Sequence, residues 1–233
     1  MNYSLSSVLI ILLVSLLIWA GYYFIVQNKY LTNLIGGPEQ NFWKWFKKNS
    51  DLYYNSKNDD KELLDELSGR LKKIDNNFCY EFSSVRKDGK REFVISADGI
   101  KSSFPKLINF VDMAPQLDKW EIIPFRQRSK NLDSISIEIG DIKLNFTDIF
   151  FDYVTHQDKI DVTLYIKNLP DDKDAYYKYM QAIYIVLDSV LGEYDTEMQV
   201  GGIELKKLTD NMSNKLLPLN KMPQVFDDYF GKD

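Results

Sequence analysis

Ile149-Phe150-Phe151-Asp152-Tyr153-Val154-Thr155 and Ile160-Asp161-Val162-Thr163-Leu164-Tyr165-Ile166, joined across Gln157-Asp158, form the stretch that decides the fold. Both runs are built from β-branched and aromatic residues, and the short polar gap between them reads as a hairpin turn. Directly downstream, Asp171 or Asp172 starts a long helix. Tyr176, Tyr179, Ile183, Val186, Leu187 and Val190 form its inner face, and Gly192 is the expected C-cap. A strand hairpin that feeds a long amphipathic helix points to an α+β protein.

Upstream, Ile135, Ile137 and Ile139 alternate with Ser134, Ser136 and Glu138, and Gly140-Asp141 gives a hairpin signal into Ile142, Leu144 and Phe146. Phe78 to Val85 and Arg91 to Ala97 read as two strands around Lys87-Asp88-Gly89-Lys90. Ile100 to Ala114 reads as a helix with Ser103 as cap and Pro105 in its first turn. Trp120 to Arg128 reads as a strand, with Pro124 marking an edge or bulge. Leu63, Leu64, Leu67, Leu71 and Ile74 recur at helical spacing behind Asp59 and Glu62, a capping-box variant. Downstream, Glu193 to Leu205 reads as a last strand broken at Gly201-Gly202, and the tail with Pro218 and Pro223 is expected to pack irregularly. Sequential hairpins favour antiparallel pairing. The expected fold is a mostly antiparallel sheet with helices packed on one face, behind an N-terminal transmembrane helix.

That transmembrane helix is the uncharged apolar run Leu5 to Val26. Its twenty-two residues make ~33 Å of helix, enough to cross a bilayer core. No Lys or Arg precedes it, whereas Lys29, Lys44, Lys47 and Lys48 follow. The run is long for a cleaved signal and lacks a positive leading segment. The positive-inside rule then places the rest of the chain in the cytoplasm. The expectation is a single-pass inner-membrane protein that contacts lipid through residues 5–26. The domains divide as an anchor over 1–28, a linker with a short amphipathic helix over 29–58, and a cytosolic α+β domain over 59–233. Within the linker, Phe42, Trp43, Trp45 and Phe46 among Lys44, Lys47 and Lys48 suit either a membrane surface or a dock on the protein's own domain. A chain begun near Asp51 is expected to fold by itself.

Composition limits the possible functions. Apolar residues make up 45% and aromatic residues 14%, so a packed core is expected rather than disorder. The formal charge of −5, without a Lys/Arg stripe, argues against nucleic acid as a partner. The single cysteine, Cys79, lies in an apolar run and reads as a small core residue. The single histidine, His156, sits at the hairpin tip beside Asp152 and Asp158, with no His/Cys cluster to make a metal site. No phosphate loop and no nucleophile elbow is present, and no cofactor is implied.

Charges on the strands remain. Glu81, Glu92 and Asp98 lie on or beside predicted strands, with Arg91, Arg126 and Arg128 as neighbours. Glu81, Glu92, Arg126 and Arg128 are the candidate ligand-binding residues, for a small polar ligand or for acid/base work. The same charges also suit a solvated sheet face with cross-strand ion pairs.

Three stretches carry a resemblance: Arg91-Glu92-Phe93-Val94-Ile95-Ser96-Ala97-Asp98-Gly99, Ala114-Pro115-Gln116-Leu117-Asp118-Lys119-Trp120 with Phe125-Arg126, and Leu187-Asp188 through Leu191-Gly192-Glu193-Tyr194. Over roughly residues 63–208 the chain resembles an uncharacterised bacterial group of the domain-of-unknown-function kind. The resemblance implies turns and a helix cap, without an activity or site residues. Two functions stand open. The first is a membrane-anchored, non-enzymatic protein-interaction module, of the immunity or envelope-accessory type, with a protein partner. The second is an enzyme that acts on a small or membrane-proximal polar substrate through a carboxylate/arginine site.

Overall fold

The computed structural model describes residues 14–24, 26–27, 36–57, 59–140, 142–209, 212 and 215–231. Its architecture is α+β, as expected, but the membrane anchor is corrected. Residues 5–13 and 25 of the expected span lie outside the described residues, as does Lys29. Among the described residues no helix is long and apolar enough to cross a membrane. The single-pass inner-membrane placement, the lipid partner and the cytoplasmic orientation fall with the anchor.

From Pro38 onward the described residues build two cores in chain order. The first half runs α1 (Pro38–Tyr54), α2 (Lys61–Ile74), β1 (Cys79–Phe82), β2 (Arg91–Ser96), α3 (Phe104–Asp112) and β3 (Trp120–Pro124). Pro38 opens α1, where its missing N–H is harmless, after Gly36 in the left-handed region at φ +82°. The aromatic segment takes the second of its two placements: Phe42, Trp43, Phe46 and Tyr53 are buried against the sheet. Trp43 stacks on Phe110 at 4.7 Å and donates its Nε1–H to the Phe110 carbonyl at 2.7 Å, so burial leaves its indole satisfied. The capping box ahead of α2 does not form. Asp60 is the N-cap, and its carboxylate accepts from the Lys57 amide instead.

The second half holds β4 (Ser136–Ile139), β5 (Ile142–Asn145), β6 (Ile149–Thr155), β7 (Ile160–Ile166), α4 (Lys173–Leu191), α5 (Glu193–Gln199), β8 (Val200–Lys207), β9 (Leu217–Pro218) and α6 (Met222–Phe230). The deciding hairpin forms with Ile149 opposite Ile166 and Thr155 opposite Ile160. Asp172 caps α4 by accepting from the Ala175 amide at 2.9 Å.

Among the described residues the mostly antiparallel sheet of the expectation is divided into three sheets, in orders β1-β2-β3, β4-β5 and β8-β7-β6-β9. Pairs β2–β3 and β7–β8 are parallel. Each follows a helical crossover, α3 in the first half and α4–α5 in the second, which local hairpin signals do not reveal. The last strand also starts later than expected. Residues 193–199 are helix α5, because Gly192 at φ +83° ends α4 and starts α5 in one step. The tail is ordered by Pro223 in the first turn of α6 and by burial of Met222 and Phe226.

Candidate active site

Strand alternation divides the first sheet into two faces. Arg91, Phe93 and Ile95 of β2 are buried. Glu92 and Val94 face the other way, and register adds their neighbours: Glu81 opposite Val94, Glu121 beside Glu92, and Ile123 beside Val94. That face is the floor of a cleft of about 830 Å³ between the halves, walled on the far side by Leu191, Gly192, Tyr194 and Asp195. A cleft between two packed units is a common place for a small-molecule site.

All four candidate residues line this cleft. Glu92 and Glu121 lie side by side as like charges, and Arg86 bridges them at 2.7 and 2.6 Å. Glu81 accepts from the Arg126 Nε at 2.6 Å. Arg128 reaches across to the second half, to Asp195 at 2.8 Å, Asp227 at 2.7 Å and the Leu191 carbonyl at 2.8 Å. Its role here is to tie the halves together. Arg91, grouped with these residues from sequence, lies on the opposite face.

Arg126 belongs to a second, smaller cleft as well, of about 310 Å³, lined by Asp98, Gly99, Arg126, Tyr184, Ile185, Asp188 and Glu197. Two non-glycine residues in the left-handed region shape it, Asp98 at φ +51° and Phe125 at φ +65°. Such conformations cost on the order of 1–3 kcal/mol and persist where surroundings hold them. Phe125 is held by Phe104 and Tyr194 at ring distances of 4.6 and 5.2 Å, and its amide donates to the Ile95 carbonyl. The turn it makes after β3 sends Arg126 back over β1. There the guanidinium meets Asp98 at 3.3 Å, Cys79 Sγ at 3.6 Å and Asp188 at 3.8 Å.

The electrostatics of the cleft centre on Asp188. Burial, and then the negative charge of Glu193 behind it, push its carboxyl up to about 6, against the opposing pull of Arg126 and a Thr196 hydrogen bond. Burial also raises Glu197, against Lys101 and Lys159. Arg126 is partly desolvated, yet Glu81 and its other acidic neighbours hold its pKa above the usual arginine value. Burial raises the Cys79 thiol, offset in part by Ser96 and Arg126, so this cysteine is not an activated nucleophile. Glu193 is fully buried and accepts three main-chain N–H groups, from Ala97 at 3.0 Å, Gly99 at 3.1 Å and Arg126 at 3.1 Å.

Asp188, Glu193, Glu197 and Arg86 were not among the candidates from sequence. Asp188 had one legible signal, a carboxylate next to Leu187 and two residues from Val186 and Val190 on a helix whose inner face is apolar. His156 stands elsewhere, at the β6–β7 turn, with its Nε2 2.9 Å from Asp161. Among the described residues no group of three or more His, Cys, Asp or Glu is placed to hold a metal ion.

The raised carboxyl has a consequence for stability. With a folded value near 6 and an unfolded value near 3.8, Asp188 binds more proton in the folded state between those pH values. Its contribution therefore falls as pH rises from about 4 to about 6, by roughly 2–3 kcal/mol for a group this little exposed. Asp188→Asn is expected to flatten that slope and to be the more stable protein at pH 7. Urea titrations at pH 4, 5, 6 and 7 measure it, and equal slopes in both proteins would refute the raised value.

No family model, no curated protein and no solved structure matches the chain. The site is therefore read from its geometry alone.

Proposed function

We propose that the protein is an enzyme that acts on a small polar substrate at the Arg126 clefts by general acid–base chemistry. Arg126 binds and orients the substrate, and Asp188 carries the proton. The observation that carries the reading is the Asp188 carboxyl 3.8 Å from the Arg126 guanidinium on the wall of a small-molecule-sized cleft, with its pKa pushed to about 6. A group that titrates near neutrality can both give and take a proton within one turnover, and a strongly shifted group in a cleft is a functional candidate. The membrane-anchored interaction module is set aside, because the described residues hold no spanning helix and the anchor was its main support. The bacterial and protein-binding parts of that reading gain no support from the fold.

The test is a screen of small polar compounds against labelled protein by NMR, followed by incubation of each hit. Hits are expected to perturb the Asp98, Gly99 and Tyr184 amides, and one of them to be consumed. Asp188→Asn should bind that compound and slow its conversion at least about 100-fold. A compound converted equally well by Asp188→Asn would refute the role of Asp188. Hits that leave the cleft amides unperturbed would refute the site.

A further inference from the structure

We infer that Glu193 is the positioning residue of this site: its buried carboxylate gathers the main-chain N–H groups of Ala97, Gly99 and Arg126 and so fixes Asp98 and Arg126 around Asp188. The inference rests on the Asp188–Arg126 reading and adds a residue that touches no substrate.

Geometry makes the argument. Glu193 is the first residue of α5, placed by Gly192, whose positive φ turns the chain at the end of α4. Its own amide donates to the Arg126 carbonyl at 2.9 Å while its carboxylate accepts from the Arg126 amide. Arg126 is thus gripped at both main-chain groups by one residue of the other half. The remaining carboxylate bonds go to Ala97 and Gly99, which bracket Asp98 and hold it in the left-handed conformation. Three N–H groups converging on one anion make a cradle of the kind that elsewhere binds phosphate or an oxyanion. Here an internal side chain fills it. Among the described residues no cation bonds this fully buried carboxylate, and the three main-chain N–H groups occupy its oxygens instead.

The same charge acts on Asp188. The groups that face Asp188 are Arg126 from the segment after β3, Asp98 from the turn after β2, and Glu193, Thr196 and Glu197 from α5, with Lys101 and Lys159 beyond Glu197. Of the negative ones, Glu193 has the strongest effect on the Asp188 carboxyl. Glu193→Gln keeps one oxygen acceptor, for Ala97 and Gly99, turns its NH2 toward the Arg126 N–H and removes the charge. A filler of space would leave the Asp188 titration where it is; a positioning charge would not.

The experiment is a carboxyl-carbon NMR titration of the full chain, wild type against Glu193→Gln. The Asp188 midpoint is expected to fall from about 6 by about one pH unit. An unchanged midpoint in a folded variant overturns the inference. Should the variant fail to fold, the wild type decides: the Ala97, Gly99 and Arg126 amide protons are expected to exchange slowly with solvent, and unprotected exchange at Gly99 and Arg126 overturns the cradle. Neither measurement needs a substrate. A shifted midpoint in a protein that converts no compound would leave Glu193 as the residue that sets Asp188 and would count against the enzyme reading alone.

Discussion

A chain begun at Asp51 is expected to lose the cooperative fold of its first half. Such a chain lacks Phe42, Trp43 and Phe46, which are buried in the first core, Phe46 completely. Phe46 packs against Phe93 at 4.8 Å and Trp120 at 5.5 Å, so its loss opens the centre of the core rather than its rim. Deleting one buried aromatic side chain costs about 3–5 kcal/mol. Three together match the roughly 5–15 kcal/mol that stabilises a typical domain. The expectation from sequence that this chain folds alone is therefore reversed. The protein has four tryptophans, and only Trp120 remains after the cut, so its fluorescence reports the first core directly. Trp120 is expected to emit as a solvated indole with no unfolding transition in urea. A sharp transition from a buried Trp120 would show that α1 is dispensable. The single change Phe46→Ala should lower stability by about 3–5 kcal/mol.

The second large effect is expected at Arg91. Among the described residues this buried arginine has no carboxylate partner. Its guanidinium donates to the carbonyls of Ser83 at 2.7 Å, Tyr53 at 2.9 Å, and Tyr54 and Ser56 at 3.2 Å. It lies over the Phe82 ring at 4.8 Å. Tyr53 and Tyr54 end α1, where carbonyls lack helical partners and the helix dipole favours a cation. Burial lowers the Arg91 pKa from the usual arginine value, yet the group stays charged. Arg91→Met keeps the apolar stem and removes the guanidinium donor from the Ser83, Tyr54 and Ser56 carbonyls, each at a cost of about 1–3 kcal/mol where water cannot reach it, while Tyr53 keeps the Ser56 amide and hydroxyl. The expected loss is about 3–4 kcal/mol by urea denaturation. Arg91→Lys, which lacks the planar fork, should lose about half of that. An exposed control in the other half, Lys143→Ala, breaks a surface pair with Glu138 and should cost ~1 kcal/mol or less. If Arg91→Met behaves like the control, α1 is held by its aromatics alone.

Legibility from sequence followed the range of the interaction. The β6–β7 hairpin, the Asp172 cap and the inner face of α4 are set by neighbours within a few residues, and the sequence shows them. The β2–β3 and β7–β8 pairs are set by helices that carry the chain back to the same end of the sheet, so no local pattern announces them. Gly192 reads as a stop, but a left-handed residue can also redirect the chain into another helix. The reading of 193–199 as a strand failed there. The same limit held at the site. Glu81, Glu92, Arg126 and Arg128 were visible as charges on or beside strands. Asp188 shows in the sequence only as a carboxylate among the apolar residues of α4, and Glu193 becomes notable only when the second half docks against the first. Arg91 and Glu92 are adjacent in sequence, and alternation sends one into the core and the other into the cleft.

The main-chain grip on Arg126 also bears on time. Side chains at an exposed cleft reorient in picoseconds to nanoseconds, whereas separation of packed units that breaks main-chain hydrogen bonds belongs to microseconds and longer. The segment from Phe125 to Ser129 is bonded to the first half through Ile95 and to the second through Glu193 and Ser189. Widening the gap between the halves must break some of those bonds together. Entry to the smaller cleft by rotation of the exposed Tyr184 is fast, while any route that needs the halves to part is slow, and exchange broadening at residues 125–129 together with Ser189 and Glu193 would be its signature.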